Sequence, residues 1–371
     1  MHSGLASYRN WALAACVTSL LLSTVPAASA GLVQTNLVSN IPGLAAVTDP
    51  LLVNPWGMAA SATSPWWVAD NGTGVSTLYN GNTGAASALV VTIPPSPSAP
   101  TGLVFNNTPG FILPVGGAKA SFIFATEDGT IAGWNGAQGT QAVTMATLAD
   151  SSFKGLAIGS VSSANYLYAT DFANSAIQVF DTSFAHVTLS GNFTDPNLPA
   201  GYSPFGIKNL GGNIYVTYAL NGGADEIAGP GLGLVDVFDT NGNFLQRVAS
   251  GGTLDAPWGL AIAPSNFDGF SNDLLVGNFG DGTINAYDPT TFAFLGQLLD
   301  QQGNPISIDG LWDIGFGNGA NGGPTNNLYF TAGLNDENDG LFGVLSVPEP
   351  FTLSIFGVGL AGAAILRRRR K

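Results

Sequence analysis

The sequence predicts an all-β chain built as a six-bladed β-propeller and closed into a ring by its own N-terminal strand. Three observations predict it. One pattern of short apolar runs returns six times, the 50 glycines suit a chain with many tight turns, and a strand-like stretch at 32–39 belongs to no repeat. A repeat of roughly 40–50 residues made of short strands is the signature of propeller blades.

The clearest copy spans Ala256 to Phe294, where a Pro-aromatic-Gly opening leads an apolar run, a second run ends on a polar residue, and a third closes on Tyr-Asp. In chain order the copies open at Asn54 (NPWGMA, WWVADN, VSTLYNGNTG), Ala99 (APTGLVF, SFIFATED, TIAGWNG) and Ser152 (SFKGLAI, NYLYATDF, AIQVFDTSF). They continue at Ser203 (SPFGIKNL, NIYVTYAL, GLVDVFDTNGNF) and Ala256, and finish at Asp309 (DGLWDIGF, NNLYFTAG, GLFGVLS). The opening glycines Gly57, Gly102, Gly155, Gly206 and Gly259 are 45, 53, 51 and 53 residues apart, and Asp313 takes the sixth place 54 further on. Fourth strands are expected at 86–93, 141–148, 186–193, 244–250 and 294–299. The sixth copy lacks one, so Leu32 to Ser39 is expected to complete it and protect an edge that would otherwise invite aggregation.

The two ends read as addresses, which divides the chain into 1–30, a propeller at 31–346 and a tail at 347–371. Arg9, an apolar stretch from Trp11 to Val25, and Ala28-Ser29-Ala30 have the layout of a secretory signal cut by signal peptidase after Ala30. A lipoprotein box at Leu13 to Cys16 is a weaker alternative, because the apolar run continues past it. Cleavage after Ala30 removes the one cysteine, leaving neither disulfides nor thiol chemistry. At the other end Phe351 to Leu366 is an uncharged run ahead of Arg367, Arg368, Arg369, Arg370 and Lys371. As a helix it would span about 24 Å, slightly short of a hydrocarbon core of about 30 Å, with the basic end cytoplasmic. A transient inner-membrane anchor is therefore expected.

Pro348, Glu349 and Pro350, the apolar run and the arginine cluster together resemble the PEP-CTERM sorting signal. The resemblance implies a Gram-negative bacterium, recognition by an exosortase-type sorting protease, and delivery to the cell surface or extracellular matrix. The repeats themselves resemble the NHL family of six-bladed propellers: Tyr166 to Asp171 followed by Ala176 to Asp181 is the nearest copy, and Trp66 to Asp70 the next. Sorting tail and repeats together are similar to an uncharacterised family of exported bacterial propellers, and that likeness supports fold more than function.

Charge narrows the partners. Between residues 31 and 347 only Lys119, Lys154, Lys208 and Arg247 oppose 23 Asp and Glu, a formal −19. Such a surface repels nucleic acid and anionic membranes.

Antiparallel pairing puts the start of each first strand and the end of each second strand on one face of the disc, so two rings of side chains should share one channel mouth. The openings contribute Trp56, Thr101, Lys154, Phe205, Trp258 and Trp312; the second-strand ends contribute Asp70, Glu127, Asp171, Tyr218 and Asn278, with Ala332 or Asn335 from the sixth copy. Aromatic faces beside carboxylates and amides are suited to a sugar or another small polar ligand. The ring residues are the candidate contact surface, with extracellular polysaccharide or another surface protein as its partner; the same pattern also suits aromatics that plug the channel and polar side chains that tie turns.

Catalytic groups are scarce. His186 is the one histidine beyond residue 30 and falls in an outer strand, which suits neither a Ser-His-Asp triad nor a zinc site. Family relatives with propeller lyase activity rely on histidine-rich metal centres, and that set is absent here. Calcium takes oxygen ligands, and Asn266 to Asp273 and Asp336 to Asp339 are the densest clusters of these, though neither has a complete EF-hand spacing. The enzymatic alternative is a lactonase-like hydrolase, with a divalent cation held by Asp70, Glu127, Asp171 or Asn278. The preferred expectation is an exported binding or scaffolding propeller without an established catalytic set or cofactor.

Overall fold

The computed structural model of the chain describes residues 31–267 and 269–348. Six sheets form the blades, five of them laid down in chain order from the innermost strand outwards. Blade 1 consists of Pro55–Ala59, Trp66–Asp70, Val75–Tyr79 and Val91–Thr92, and blade 2 of Pro100–Phe105, Phe122–Thr126, Thr130–Trp134 and Val143–Thr147. Blade 3 consists of Phe153–Val161, Ala164–Asp171, Ala176–Phe180 and His186–Val187; blade 4 of Tyr202–Leu210, Asn213–Asn221, Leu234–Asp239 and Phe244–Ser250. Blade 5 runs through Pro257–Ile262, Leu274–Asn278, Ile284–Tyr287 and Phe294–Gln297.

Blade 6 is assembled from both ends of the propeller. Leu311–Phe316, Leu328–Gly333 and Asp339–Ser346 are joined by Val33–Ser39, which pairs antiparallel with Asp339–Ser346 from Val33 opposite Ser346 to Ser39 opposite Leu341. Burial rises along the inserted strand, from exposed Gln34 and Thr35 to buried Leu37, Val38 and Ser39 past a register shift between Asn36 and Val38, and the Ser39 hydroxyl donates to the Gly340 carbonyl at 2.7 Å. The expected closure is therefore present, and residues 31–348 hold every blade complete. A short parallel addition, Val47–Thr48, covers the outer edge of the closing strand.

The innermost strands are apolar on both faces because each is enclosed by its neighbours. At the repeated glycines the approach is too close for a side chain: a Cβ on Gly102 would collide with the backbone of Gly155 and Leu156, and one on Gly206 with the Trp258 carbonyl. Between blades the second and third strands interlock, for example Tyr168, Phe193, Val216 and Phe238 between blades 3 and 4, and Leu275, Ile314 and Phe330 between blades 5 and 6.

The outer strand of blade 4 covers the expected 244–250, whereas those of blades 1 and 3 are shorter than the sequence predicts. The expected 186–193 is a strand only at His186–Val187, because the chain then turns to its neighbour: Gly191 donates to the Asn241 carbonyl and Phe193 to that of Gly242. The expected 86–93 is likewise a strand only at Val91–Thr92. Among the described residues no helix is long and apolar enough to cross a membrane. The predicted signal at 1–30, the apolar helix at 351–366 and the arginine cluster lie outside the described residues.

Candidate functional site

Four of the predicted ring residues meet on the channel axis and fill it. Trp56 and Trp312 stack at 3.6 Å between ring centroids with planes 20° apart, while Trp258 stands edge-on to both at 6.4 and 5.8 Å. Phe205 closes the group at 5.7 Å from Trp312, and Phe279 covers Trp312 at 4.3 Å. Their exposures of 0–6% make this a packed plug, and the space open to a ligand lies elsewhere. Two indole N–H groups are fixed by hydrogen bonds, Trp312 to Asn54 Oδ1 at 3.0 Å and Trp258 to the Lys154 carbonyl at 3.1 Å.

The polar half of the ring is dispersed into its own blades. Asp171 accepts from Ser152 N, Asn174 Nδ2 and Gln178 Nε2, which ties the turn that follows its strand. Asp70 accepts from the Thr77 amide and hydroxyl, and burial pushes its carboxyl well above the usual range despite those bonds. Asn278 donates to the Thr253 carbonyl and Thr283 Oγ1. Tyr218 packs in the core between blades 3 and 4, Thr101 donates to the Phe153 carbonyl, and Ala332 is core. Among the described residues no three His, Cys, Asp or Glu side chains are grouped so as to hold a metal ion. The four proposed calcium ligands thus serve separate turns and pairs, and Asp339 is taken up by Asn40 and Asn335. Asp268 of the other acidic cluster lies outside the described residues.

Only Glu127 and Lys154 carry the predicted ring into a polar cluster above the plug. Lys154 has a fully buried side chain, pairs with Glu127 and reaches Asp225 at 3.3 Å, and its ammonium lies 5.0 Å from the Trp56 ring centroid. Burial opposes its charge, but Glu127, Glu226 and Asp225 together more than offset that and hold it above the usual lysine range. Glu337 joins through Asn54, which donates to it at 2.5 Å from beside the stacked indoles. Three successive left-handed residues, Asn335, Asp336 and Glu337 with φ of 55°, 52° and 63°, make this turn. Sequence reasoning named Glu337 only within the acidic cluster at 336–339 and missed Asp225 and Glu226, which lie in an insertion between the second and third strands of blade 4 that no repeat register reaches.

This cluster sets a pH dependence. Burial pushes the Glu226 carboxyl up to about 7 from an ordinary 4.5, with Lys154 opposing and Glu337 and Asp225 reinforcing the shift. A carboxyl raised by folding stabilises the folded state fully below its ordinary pKa and loses that contribution as pH rises through the folded value. Stability should therefore fall between about pH 4.5 and 7, by about 1–3 kcal/mol from this residue. Glu226→Gln should flatten that slope in thermal melts taken across the range; parallel curves for the variant and the unchanged protein would contradict the assignment.

The opposite mouth is open. Where the innermost strands of all six blades end, a cavity of about 680 Å³ is walled by the partly exposed Phe105, Ile158, Ile262 and Phe316, with Met58, Leu156 and Leu260 buried behind them, and rimmed by Asn107, Thr108, Ser160, Asn209 and Thr240. An ion pair lies at its base: Lys208 Nζ contacts both carboxylate oxygens of Asp313, at 2.9 and 3.0 Å. Asp313 also accepts from the Met58 and Ile314 amides, so both its oxygens are saturated. Beyond the pair a void of about 10 Å³ separates it from Trp258 of the plug, and no open channel joins the two ends there.

Sequence reasoning passed over Lys208, although a signal was present. Asp313 stands where five blades carry glycine, and Lys208 stands where the other blades carry Ala59, Val104, Ala157, Ala261 and Gly315. Both departures from the repeat meet at one point.

Comparison with known proteins places the chain among relatives of the same length class. Uncharacterized protein R648 of Acanthamoeba polyphaga mimivirus is 35% identical over 324 residues, covering 83% of this chain and 78% of the viral protein. Uncharacterized protein L690 of the same virus is 32% identical over 331 residues, with 83% and 84% covered. The chain belongs to this protein family. Residues 346–370 match the PEP-CTERM protein-sorting motif, which suggests export, sorting to the cell envelope and processing by an exosortase-type system. The family members named here come from a virus, so they lend no support to the expected bacterial origin. A crystal structure of glucose dehydrogenase superposes with a TM-score of 0.52 at 13% identity, covering 86% of this chain and 100% of that one, a likeness of fold alone.

Proposed function

We propose that the protein is an exported propeller with NHL-like repeats that binds a small molecule at the envelope or in the extracellular matrix, in the funnel where the innermost strands end. The observation that carries this reading is the cavity itself. Its volume falls in the range of small-molecule sites, roughly 300–1,000 Å³, and it combines apolar walls with a few placed polar groups. The repeat alone would give six equivalent walls; the two residues that break it put Lys208 in the funnel lining with Asp313 paired to it from beneath.

Binding of an uncharged solvatochromic dye, Nile red, to residues 31–348 tests the reading. A saturable blue-shifted signal is expected, weakened by Ile158→Trp, which narrows the funnel from a partly exposed wall position. A signal of equal strength in Ile158→Trp, or none in the unchanged protein, would refute a funnel site.

A further inference from the structure

We infer that the funnel selects an uncharged amphiphile that enters with a hydrogen-bond acceptor foremost and presents it to Lys208 Nζ. This rests on the funnel being the binding site and goes on to name what fits it. The ion pair at the base offers a donor and no acceptor: Asp313 is 3% exposed and all its acceptance is internal, while Lys208 is 33% exposed and its ammonium carries three N–H groups. A ligand meeting this base must accept a hydrogen bond. The apolar side chains that keep exposed surface along the wall, Phe105, Ile158, Ile262 and Phe316, favour an apolar body behind that acceptor.

Two further facts argue against a carboxylate as the acceptor. The Lys208 charge is already neutralised by a carboxylate that touches it through both oxygens, so an anion entering the funnel would leave one negative charge in excess in an apolar enclosure. The propeller's formal −19 repels anions on approach. A ketone, ester or amide carbonyl on a medium-length chain meets every condition, and the polar rim of Asn107, Thr108, Ser160, Asn209 and Thr240 would meet whatever polar group follows the chain. The position of Lys208 follows from the fold: it stands two beyond the opening glycine, a position whose counterparts Ala59, Val104, Ala157, Ala261 and Gly315 also line the cavity, and blade 4 alone places a long cation there.

Isothermal titration of residues 31–348 with decan-2-one and with decanoate tests this. The ketone is expected to bind at least tenfold tighter than the carboxylate. Lys208→Met/Asp313→Asn, which removes both charges together and keeps side-chain volume, should weaken the ketone about tenfold, the loss of roughly one hydrogen bond. If that variant does not fold, the ketone-to-carboxylate ratio in the unchanged protein still decides. Equal or tighter binding of decanoate, or undiminished ketone binding by the folded variant, would overturn the ligand class while leaving the funnel as a site. Failure of both ligands and of Nile red would instead overturn the binding reading beneath it.

Discussion

A variant lacking residues 31–40 is expected to lose cooperative unfolding and to aggregate. Those residues supply the outer strand of blade 6, with Leu32, Leu37 and Val38 buried at 4%, 6% and 0% exposure. Burial of such side chains contributes roughly 1.5–3 kcal/mol each, so the strand carries a large part of the roughly 5–15 kcal/mol typical of a whole domain. Its loss also leaves Asp339–Ser346 as a long unpaired edge, a template for association between chains. Urea unfolding should show a broad, early transition, and a synthetic peptide of residues 31–42 added in trans should restore part of the lost stability. An unchanged midpoint in the truncated protein would mean that closure of the ring contributes little.

Trp312→Ala should be the most damaging single substitution in the channel, costing about 3–5 kcal/mol. The indole is fully buried, lies against Trp56, Trp258, Phe205 and Phe279, and its N–H donates to Asn54, which in turn donates to Glu337. Removing it opens a cavity between four rings from three other blades, and the backbone around it is held by sheets that cannot collapse together. It also frees Asn54 Oδ1 and so loosens the turn carrying Glu337 at the Lys154 end. Chemical denaturation should show the lowered midpoint, and Trp312→Phe should recover much of the loss. A midpoint within about 1 kcal/mol of the unchanged protein would contradict the plug as a stabilising element.

Much of the fold was legible because a blade writes its strands with a regular spacing, and because the closing strand at 32–39 was the one strand-like segment without a repeat. The ring of Trp56, Phe205, Trp258 and Trp312 was placed at the correct level for the same reason. What the pattern could not convey was that these rings are long enough to meet on the axis, which turns an expected mouth into a plug and moves open space to the other end. Asp70, Asp171 and Asn278 shared a register but were recruited by local turns, a competition for hydrogen bonds that only three-dimensional neighbours decide. Lys208 and Asp313 were legible as exceptions to the repeat, yet lie 105 positions apart in sequence, and only the closed ring brings them together.

The most direct measurement of the central claim uses the two methionines of residues 31–348. Met58 lines the funnel and Met145 lies in the outer strand of blade 2, far from it along the sheet. Methyl-labelled methionine gives one NMR signal for each. Titration with decan-2-one should shift the Met58 methyl in a saturable way and leave Met145 in place; saturable binding that moves Met145 alone, or neither methyl, would contradict the funnel as the site.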